Sequence, residues 1–481
     1  MFNSPELFGN PQNFVMDPVH GAISYFDHES KVIDHPLFQR LRSISQTDIL
    51  TYVFPGASHS RFLHSLGTMH LSGRLFKKVI RSVQLELVGD LELNFKPEHF
   101  KAIQYIHICL RLASLLHDSG HAPFSHQFEY SEAVKRILKD KDIFSNLWKN
   151  SNFERFYNNA PKKIKHEYYS VAVANKILTD IEIDKFGIEV SDVLAIMETT
   201  SAIPSEKMIK HAVKLFEIVL DKSEIGKYDD SEIGRSIILV LRDMISGEVD
   251  VDKMDYLLRD SYFSGAMHGI YNLDHIINNL RVTWKKSAFR AKKPRFSLAV
   301  ISKGLGALEE FVHSRYKLYL MMYNHKTCVG FTWLLEKAMD EVLAIPENLE
   351  HVKICMSNVD KFQNFTDTYF WEEFRKIAQE NANSASAKLI YREKLKFLDS
   401  RQDIGEEEIE NIKEDLEVKH GDVIYRVCNA KFSNIMPTFE KMMVLHKNRD
   451  TGKYYLDQIS NHSDFFSKFS NTKLVYFYKA P

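Results

Sequence analysis

The chain has 481 residues, enough for a deep, water-excluding site within one large core or several smaller ones. Lys and Arg total 63 against 64 Asp and Glu, a net charge of -1, which excludes a protein that coats nucleic acid with uniform positive charge and leaves only local basic patches open. Hydrophobic residues at 44% and aromatics at 12% exclude a disordered chain.

In chain order, Met1–Glu6 lacks the basic start and apolar run of a secretion signal, and no later stretch approaches the ~18 apolar residues of a membrane helix. A cytoplasmic protein with no membrane partner is expected. Cys109, Cys328, Cys355 and Cys428 lie far apart and form no C-x-x-C pair, the pattern of reduced core thiols. From about Asp34 to Lys326 the apolar residues recur at helical steps. Phe62, Leu66, Met69, Phe76 and Ile80 mark one helix, and Ile103, Ile106, Leu110, Ala113 and Leu116 mark another. Breaks fall at Val53–Ala57, Asp118–His121 and Asn158–Pro161. The acidic run from Gly405 predicts a solvated helix, and the β-branched and aromatic runs at Asp422–Val427 and Lys473–Tyr478 predict strands. The expected fold class is mostly α, a helical core over residues 1–400 with a small C-terminal α+β, antiparallel unit over 401–481.

Four side chains stand in an order suited to one metal: His64 near the start of one helix, His117 and Asp118 at the end of a second, and Asp252 on a third. Imidazoles with carboxylates suit a divalent transition metal, Mn, Fe, Zn, Ni or Co, and four protein ligands or fewer leave positions for water and substrate oxygens. Spacing alone leaves structural histidines as the alternative.

The context of these residues adds more. Ser58-His-Ser-Arg-Phe-Leu-His-Ser-Leu-Gly67, Leu115-Leu-His-Asp-Ser-Gly-His-Ala-Pro-Phe-Ser-His126 and Asp250-Val-Asp-Lys-Met-Asp-Tyr256 resemble the HD-domain phosphohydrolases, specifically the deoxynucleoside triphosphate triphosphohydrolases. Asp17-Pro-Val-His-Gly21, Ile33–Arg42 and Tyr52–Ser58 are similar to the catalytic core of the vertebrate members, which add a SAM domain, and of their bacterial relatives. The likeness runs with gaps from about residue 13 to about 400. It implies an HD-domain core with His64, His117, Asp118 and Asp252 as metal ligands, and a metal-bound water attacking the α-phosphorus of a dNTP to release deoxynucleoside and triphosphate. It also implies His121 and His166 as proton-transfer groups. Glu129 stands where relatives carry an orienting aspartate, and His126 is assigned only packing. His121 as a structural residue or a second-metal ligand stays open.

A triphosphate carries about four negative charges, so cations must converge on it. By the resemblance, Arg61, Lys253 and Arg315 contact phosphate, Tyr323 touches the sugar or base and Gln46 meets the sugar 3′-hydroxyl, while Tyr256 and Asp260, at successive turns beyond Asp252, and Tyr319, one turn beyond Arg315, complete the expected substrate-binding set; Mg is expected with the distal phosphates. Thr47-Asp-Ile-Leu50 departs from the family pattern beside the sugar. Asp34, Gln39 and Arg42 match guanine-reading positions of an activator site for dGTP or GTP, with Lys303, Arg392 and Lys396 as neighbouring phosphate contacts and a homo-oligomer as the expected assembly. Asn13 and Ile301 stand where that site is usually basic, and a structural Asp34–Arg42 ion pair is the plain alternative. Two rival functions remain: an HD phosphodiesterase or nuclease acting on single-stranded nucleic acid or a cyclic nucleotide, and a catalytically silent nucleotide-sensing scaffold.

Overall fold

The computed structural model describes residues 8–87, 96–140, 143, 166–198, 202–217, 229–285, 295–430, 442–447, 454–468 and 471–481. The break expected at Asn158–Pro161 and the segment Met1–Glu6 lie outside them. A hairpin of β1 (Asn13–Asp17) and β2 (Gly21–Tyr25) opens the described chain, its antiparallel register running from Asn13 opposite Tyr25 to Asp17 opposite Gly21. The longer helices are numbered here in chain order. α1 (Arg61–Leu87) packs against α2 (Pro97–Leu116), which starts on a proline in its first turn, where a missing N–H costs nothing. α3 is His166–Asp180 and α4 is Asp230–Ile245, the latter capped by the Asp229 carboxylate. α5 (Val251–Ser264) is capped by Asp250, which accepts from Lys253 N at 2.7 Å, and ends at Gly265 with φ +72°.

β3 (Leu280–Lys285) and β4 (Arg295–Ile301) follow, then α6 (Leu305–Leu318), a five-residue π-helical turn over Tyr319–Tyr323, α7 (Lys326–Leu343) and α8 (Asp367–Glu380). The last part holds β5 (Phe397–Gln402), α9 (Glu406–His420), β6 (Val423–Ala430), β7 (Met443–Lys447), β8 (Tyr454–Gln458) and β9 (Thr472–Lys479). The protein is mostly helical with small sheets, and no helix among the described residues is long and apolar enough to cross a membrane.

β6 and β9 pair antiparallel where the sequence places its two terminal strands, and α9 buries Ile409 and leaves its acidic face in water. Two features go beyond the small antiparallel unit expected over 401–481. β5 joins β9 from before residue 401, and β7 pairs in parallel with β4, giving the order β3-β4-β7-β8. The Leu280–Lys285 and Arg295–Ile301 runs are rich in β-branched and aromatic residues yet lie inside a stretch dominated by helical periodicity. A parallel pairing of Ala299 with Met443 has no local sequence signature. One apolar core runs from Phe8 to Phe466, and a second small cluster of Ile409, Val423, Val475 and Phe477 lies between α9 and its sheet.

Candidate metal centre and catalytic cleft

α1 packs against both α2 and α5, and those two contacts bring the four expected ligands together. His64 lies in the first turn of α1, His117 caps the C-terminus of α2 with Asp118 following it, and Asp252 lies in the first turn of α5. His64 Nε2 stands 3.1 Å from Asp252 Oδ1 and 3.6 Å from Asp118 Oδ2. His117 Nε2 stands 3.4 Å from Asp118 Oδ1 and 3.9 Å from Asp252 Oδ1.

Each imidazole has its outer nitrogen committed. His64 Nδ1–H donates to Asp255 at 2.8 Å, because a carboxylate can only accept, and His117 Nδ1–H donates to the Ser114 carbonyl at 2.7 Å. Both Nε2 atoms are buried and have no aligned hydrogen-bond partner. Two orphaned ring nitrogens facing two carboxylates make a poor hydrogen-bond network and a good ligand set. Donors bound at about 2.0–2.2 Å to one divalent ion stand roughly 3–3.6 Å apart, close to the separations found here.

The electrostatics show the same demand for a cation. Burial opposes charge on His64, but the Asp252 and Asp255 carboxylates beside it outweigh burial and raise its pKa to about 10. Burial likewise opposes ionisation of Asp118 and Asp252, and in each case neighbouring positive groups prevail and hold the carboxyl well below its usual range. The cluster thus recruits protons and Arg61 as stand-ins for positive charge: Arg61 Nη1 donates to Asp118 Oδ2, and its Nε donates to Ser125 Oγ at 2.6 Å.

The HD turn sets a second group of side chains against this cluster. Gly120 permits the approach: a Cβ there would stand 1.9 Å from the Ser170 nitrogen of α3, and Gly120 N donates to Ser170 Oγ at 3.0 Å. α3 therefore presents His166 from its first residue. The His166 ring stacks on His121 at 4.0 Å between centroids, and His126 meets both rings edge-on at 4.9 Å. One ring nitrogen from each of the three lies within 4.8 Å of the others. Glu129 Oε1 accepts from the His166 backbone at 3.2 Å and lies 3.3 Å from its Nδ1. Burial would raise Glu129, but His166 outweighs it and holds the carboxyl below its ordinary value. A cavity lined by Gly120, Ser125, Glu129, His166 and Tyr169 lies beside them. His126, read from sequence as a packing residue, packs edge-on against these two rings while part of it stays exposed.

Phe124 and Ser125 both take left-handed backbone conformations, φ 55° and 52°, and this turn carries Ser125 to Arg61. Asp367 of α8 holds it, accepting from Phe124 N at 2.8 Å and Ser45 N at 2.9 Å. Burial raises the Asp367 carboxyl to about 6. No sequence motif pointed to Asp367.

Most of the remaining expected substrate residues bond among themselves. Arg315 Nε donates to Tyr256 Oη at 3.2 Å and its guanidinium lies 5.4 Å from the Tyr319 ring, while Tyr323 Oη donates to Asp260 Oδ2 at 2.5 Å. Asp260 also accepts from His59 at 2.7 Å, a residue inside a quoted motif that received no role. Lys253 turns the other way, its Nζ donating to Asp250 Oδ2 at 2.5 Å and to the Gly247 carbonyl at 2.8 Å. Gln46 has a buried, unpartnered side-chain oxygen beside this cleft's Ser45–Asp48 turn, as does Asp48.

The expected activator residues lie at the surface. Arg42 Nε donates to Gln39 Oε1 at 2.7 Å, and its guanidinium covers the Phe62 ring at 3.7 Å. Asp34 is exposed and accepts from Ser30 Oγ at 3.4 Å, with no Asp34–Arg42 ion pair among the described residues. Arg392 donates twice to the Tyr52 carbonyl, and Lys303 and Lys396 are exposed.

No protein-family model matches the chain. It is 28% identical over 342 residues to a deoxynucleoside triphosphate triphosphohydrolase SAMHD1 homolog of Dictyostelium discoideum, a match covering 70% of this chain and 52% of that protein. The chain spans about half the length of the curated relatives it matches. Among solved structures, a hypothetical protein from Aquifex aeolicus superposes with a TM-score of 0.63 at 21% identity, covering 97% of this chain and 96% of that one. A phosphohydrolase from Bacteroides thetaiotaomicron superposes with a TM-score of 0.61 at 20% identity, covering 98% and 100%. The structural likeness shows a shared fold. With the sequence matches it makes this chain a distant relative of the HD-domain deoxynucleoside triphosphate triphosphohydrolases.

Proposed function

We propose, from that relationship and from the geometry of the cleft, that this chain is a metal-dependent phosphohydrolase that converts dNTPs to deoxynucleoside and triphosphate. One observation carries the reading: two buried imidazole nitrogens without hydrogen-bond partners face two carboxylates, beside an arginine already drawn into the cluster. His64, His117, Asp118 and Asp252 would hold the ion. When bound, a divalent metal lowers the pKa of water toward ~7 and polarises a phosphoryl oxygen.

The chain's own residues do the rest. Arg61 reaches the cluster through Asp118 and would turn part of its charge to the α-phosphoryl oxygens, while Arg315, with Tyr256 and Tyr319 alongside, would take the distal phosphates. Lys253 joins them only by leaving Asp250. Tyr323 and Asp260 would bound the sugar and base, and Gln46 would meet a sugar hydroxyl with its unpartnered oxygen. His166, oriented by Glu129 and stacked on His121, would deliver the proton to the departing 5′-oxygen. Nucleotide activation through Asp34, Gln39, Arg42, Lys303, Arg392 and Lys396, and assembly into a homo-oligomer, belong to the same proposal.

The test is product analysis with each of the four dNTPs, with and without dGTP and Mn²⁺, and with a labelled single-stranded oligonucleotide in parallel. Equimolar deoxynucleoside and triphosphate are expected. Oligonucleotide cleavage without triphosphate release would instead make the chain a nuclease of the same fold.

A further inference from the structure

The turn Asp17-Pro-Val-His-Gly21 has no part in the chemistry above, yet its two polar side chains are buried behind the metal ligands. Asp17 divides its carboxylate. Oδ1 accepts from Val19 N at 2.9 Å and His20 N at 2.8 Å, which fixes the turn, and Oδ2 accepts from Arg259 Nη1 at 2.8 Å. Gly21, at φ +72°, then starts β2. The turn so fixed aims His20 Nε2 at Asp255 Oδ1, 2.6 Å away.

Asp255 is the point where these bonds meet. It accepts from His20, from Arg259 Nε at 2.8 Å and Nη2 at 2.9 Å, and from His64 Nδ1 at 2.8 Å. The Asp255, Arg259 and His64 side chains are fully buried, and Asp17 and His20 are at most 2% exposed. α1 makes room for the carboxylate with a glycine one turn beyond His64: a Cβ on Gly67 would stand 1.8 Å from Asp255 Oδ1 and 2.6 Å from Arg259 Nη2.

We propose that the Asp17–Gly21 turn and Gly67 are positioning elements of the metal centre, holding Asp255 so that it keeps the His64 Nδ1–H turned away from the cleft and the Nε2 lone pair turned into it. A ligand imidazole oriented by a carboxylate on its other nitrogen is a recurrent device of metal sites. Here that carboxylate is itself clamped by an N-terminal hairpin far from it in sequence. The inference rests on the metal-centre reading and extends it to residues that touch neither metal nor substrate.

The test is Co²⁺ titration of the metal-stripped full chain, followed by visible absorption, with thermal melting measured on each variant. His20→Leu removes the donor to Asp255 at similar volume, whereas His20→Gln keeps an N–H there. The expected result is Co²⁺ affinity about 10- to 100-fold weaker for His20→Leu and for Gly67→Ala, with His20→Gln near wild type. A folded His20→Leu that binds Co²⁺ as tightly as wild type overturns the proposal. Should that variant fail to fold, Asp17→Asn takes its place; it keeps the turn's acceptor and loses the charge opposite Arg259, and unchanged affinity there overturns the proposal equally. Wild-type binding no tighter than that of Asp252→Ala would overturn the metal-centre reading itself, a result distinct from failure of the clamp alone.

Discussion

Two sets of charged and polar residues were named from the same sequence, and the structure treats them differently. His64, His117, Asp118 and Asp252 come from α1 and from the ends of two helices that both pack against it, and the two imidazole Nε2 atoms end up buried and unpartnered. Asp34, Gln39, Arg42, Lys303, Arg392 and Lys396 end up mostly at the surface, and three of them, Gln39, Arg42 and Arg392, spend their polar groups on the chain's own atoms. Burying a polar group without a partner costs several kcal/mol, so its persistence in the first set signals a ligand. An exposed side chain meets no such demand, and residue type at the surface carries little information about what binds there.

The strongest way to break that contrast is to delete one member of the buried set. Asp252→Ala should abolish stoichiometric metal and lower dNTP hydrolysis by at least about 10³-fold, read by metal analysis and by triphosphate release. Retention of both would leave the orphaned nitrogens without an explanation. A step out from the cluster, His166→Ala should reduce turnover on the order of 10²-fold while leaving metal content unchanged, since His166 bonds to Glu129 and stacks on His121 without touching Asp252 or His64. Glu129→Gln should reproduce part of that loss. Metal loss in His166→Ala would merge the two groups into one site.

Asp367 sharpens the contrast differently, because it is buried, fully bonded and not a candidate ligand. Its carboxyl is raised by burial from 3.8 to about 6, so the folded chain binds that proton more tightly than the unfolded chain does. The associated stability is fully present below the unfolded pKa near 3.8 and is lost as pH rises through about 6. Asp367→Asn should therefore gain on wild type by up to about 3 kcal/mol as pH rises from about 3 to about 7 in denaturant titrations. A flat difference over that window would mean the carboxylate ionises there as it does in water.

What was legible in the sequence follows the same line. Helical periodicity identified α1 and α2, and two local β runs identified β6 and β9, because these depend on neighbours within a few residues. The parallel join of β4 to β7 depends on residues more than 140 positions apart and left no local trace. The four cleft residues were legible because family motifs mark them. Asp255, three residues after Asp252 on the same helix, was quoted inside a motif and given no role, since nothing local says that its partner is His64. His59 and Asp367 show the same blindness to long-range bonds, to Asp260 and to the 124–125 turn.

The smallest effect is expected at the surface. Arg42→Ala removes a cation that covers Phe62 and bonds to Gln39, and Arg392→Ala removes two bonds to a single carbonyl. Neither residue contacts the metal ligands, so without added nucleotide each variant should hydrolyse dNTPs within about 2-fold of wild type and melt within roughly 0.5 kcal/mol of it. Adding dGTP separates the two meanings of that neutrality. If these cations serve a nucleotide activator, wild type should be stimulated and both variants should not be, with the fall confined to the dGTP-dependent rate. Equal stimulation of all three proteins would assign Arg42 and Arg392 to packing alone. The contrast between the two sets would then be complete, one left with unpartnered buried nitrogens and the other satisfied within the chain.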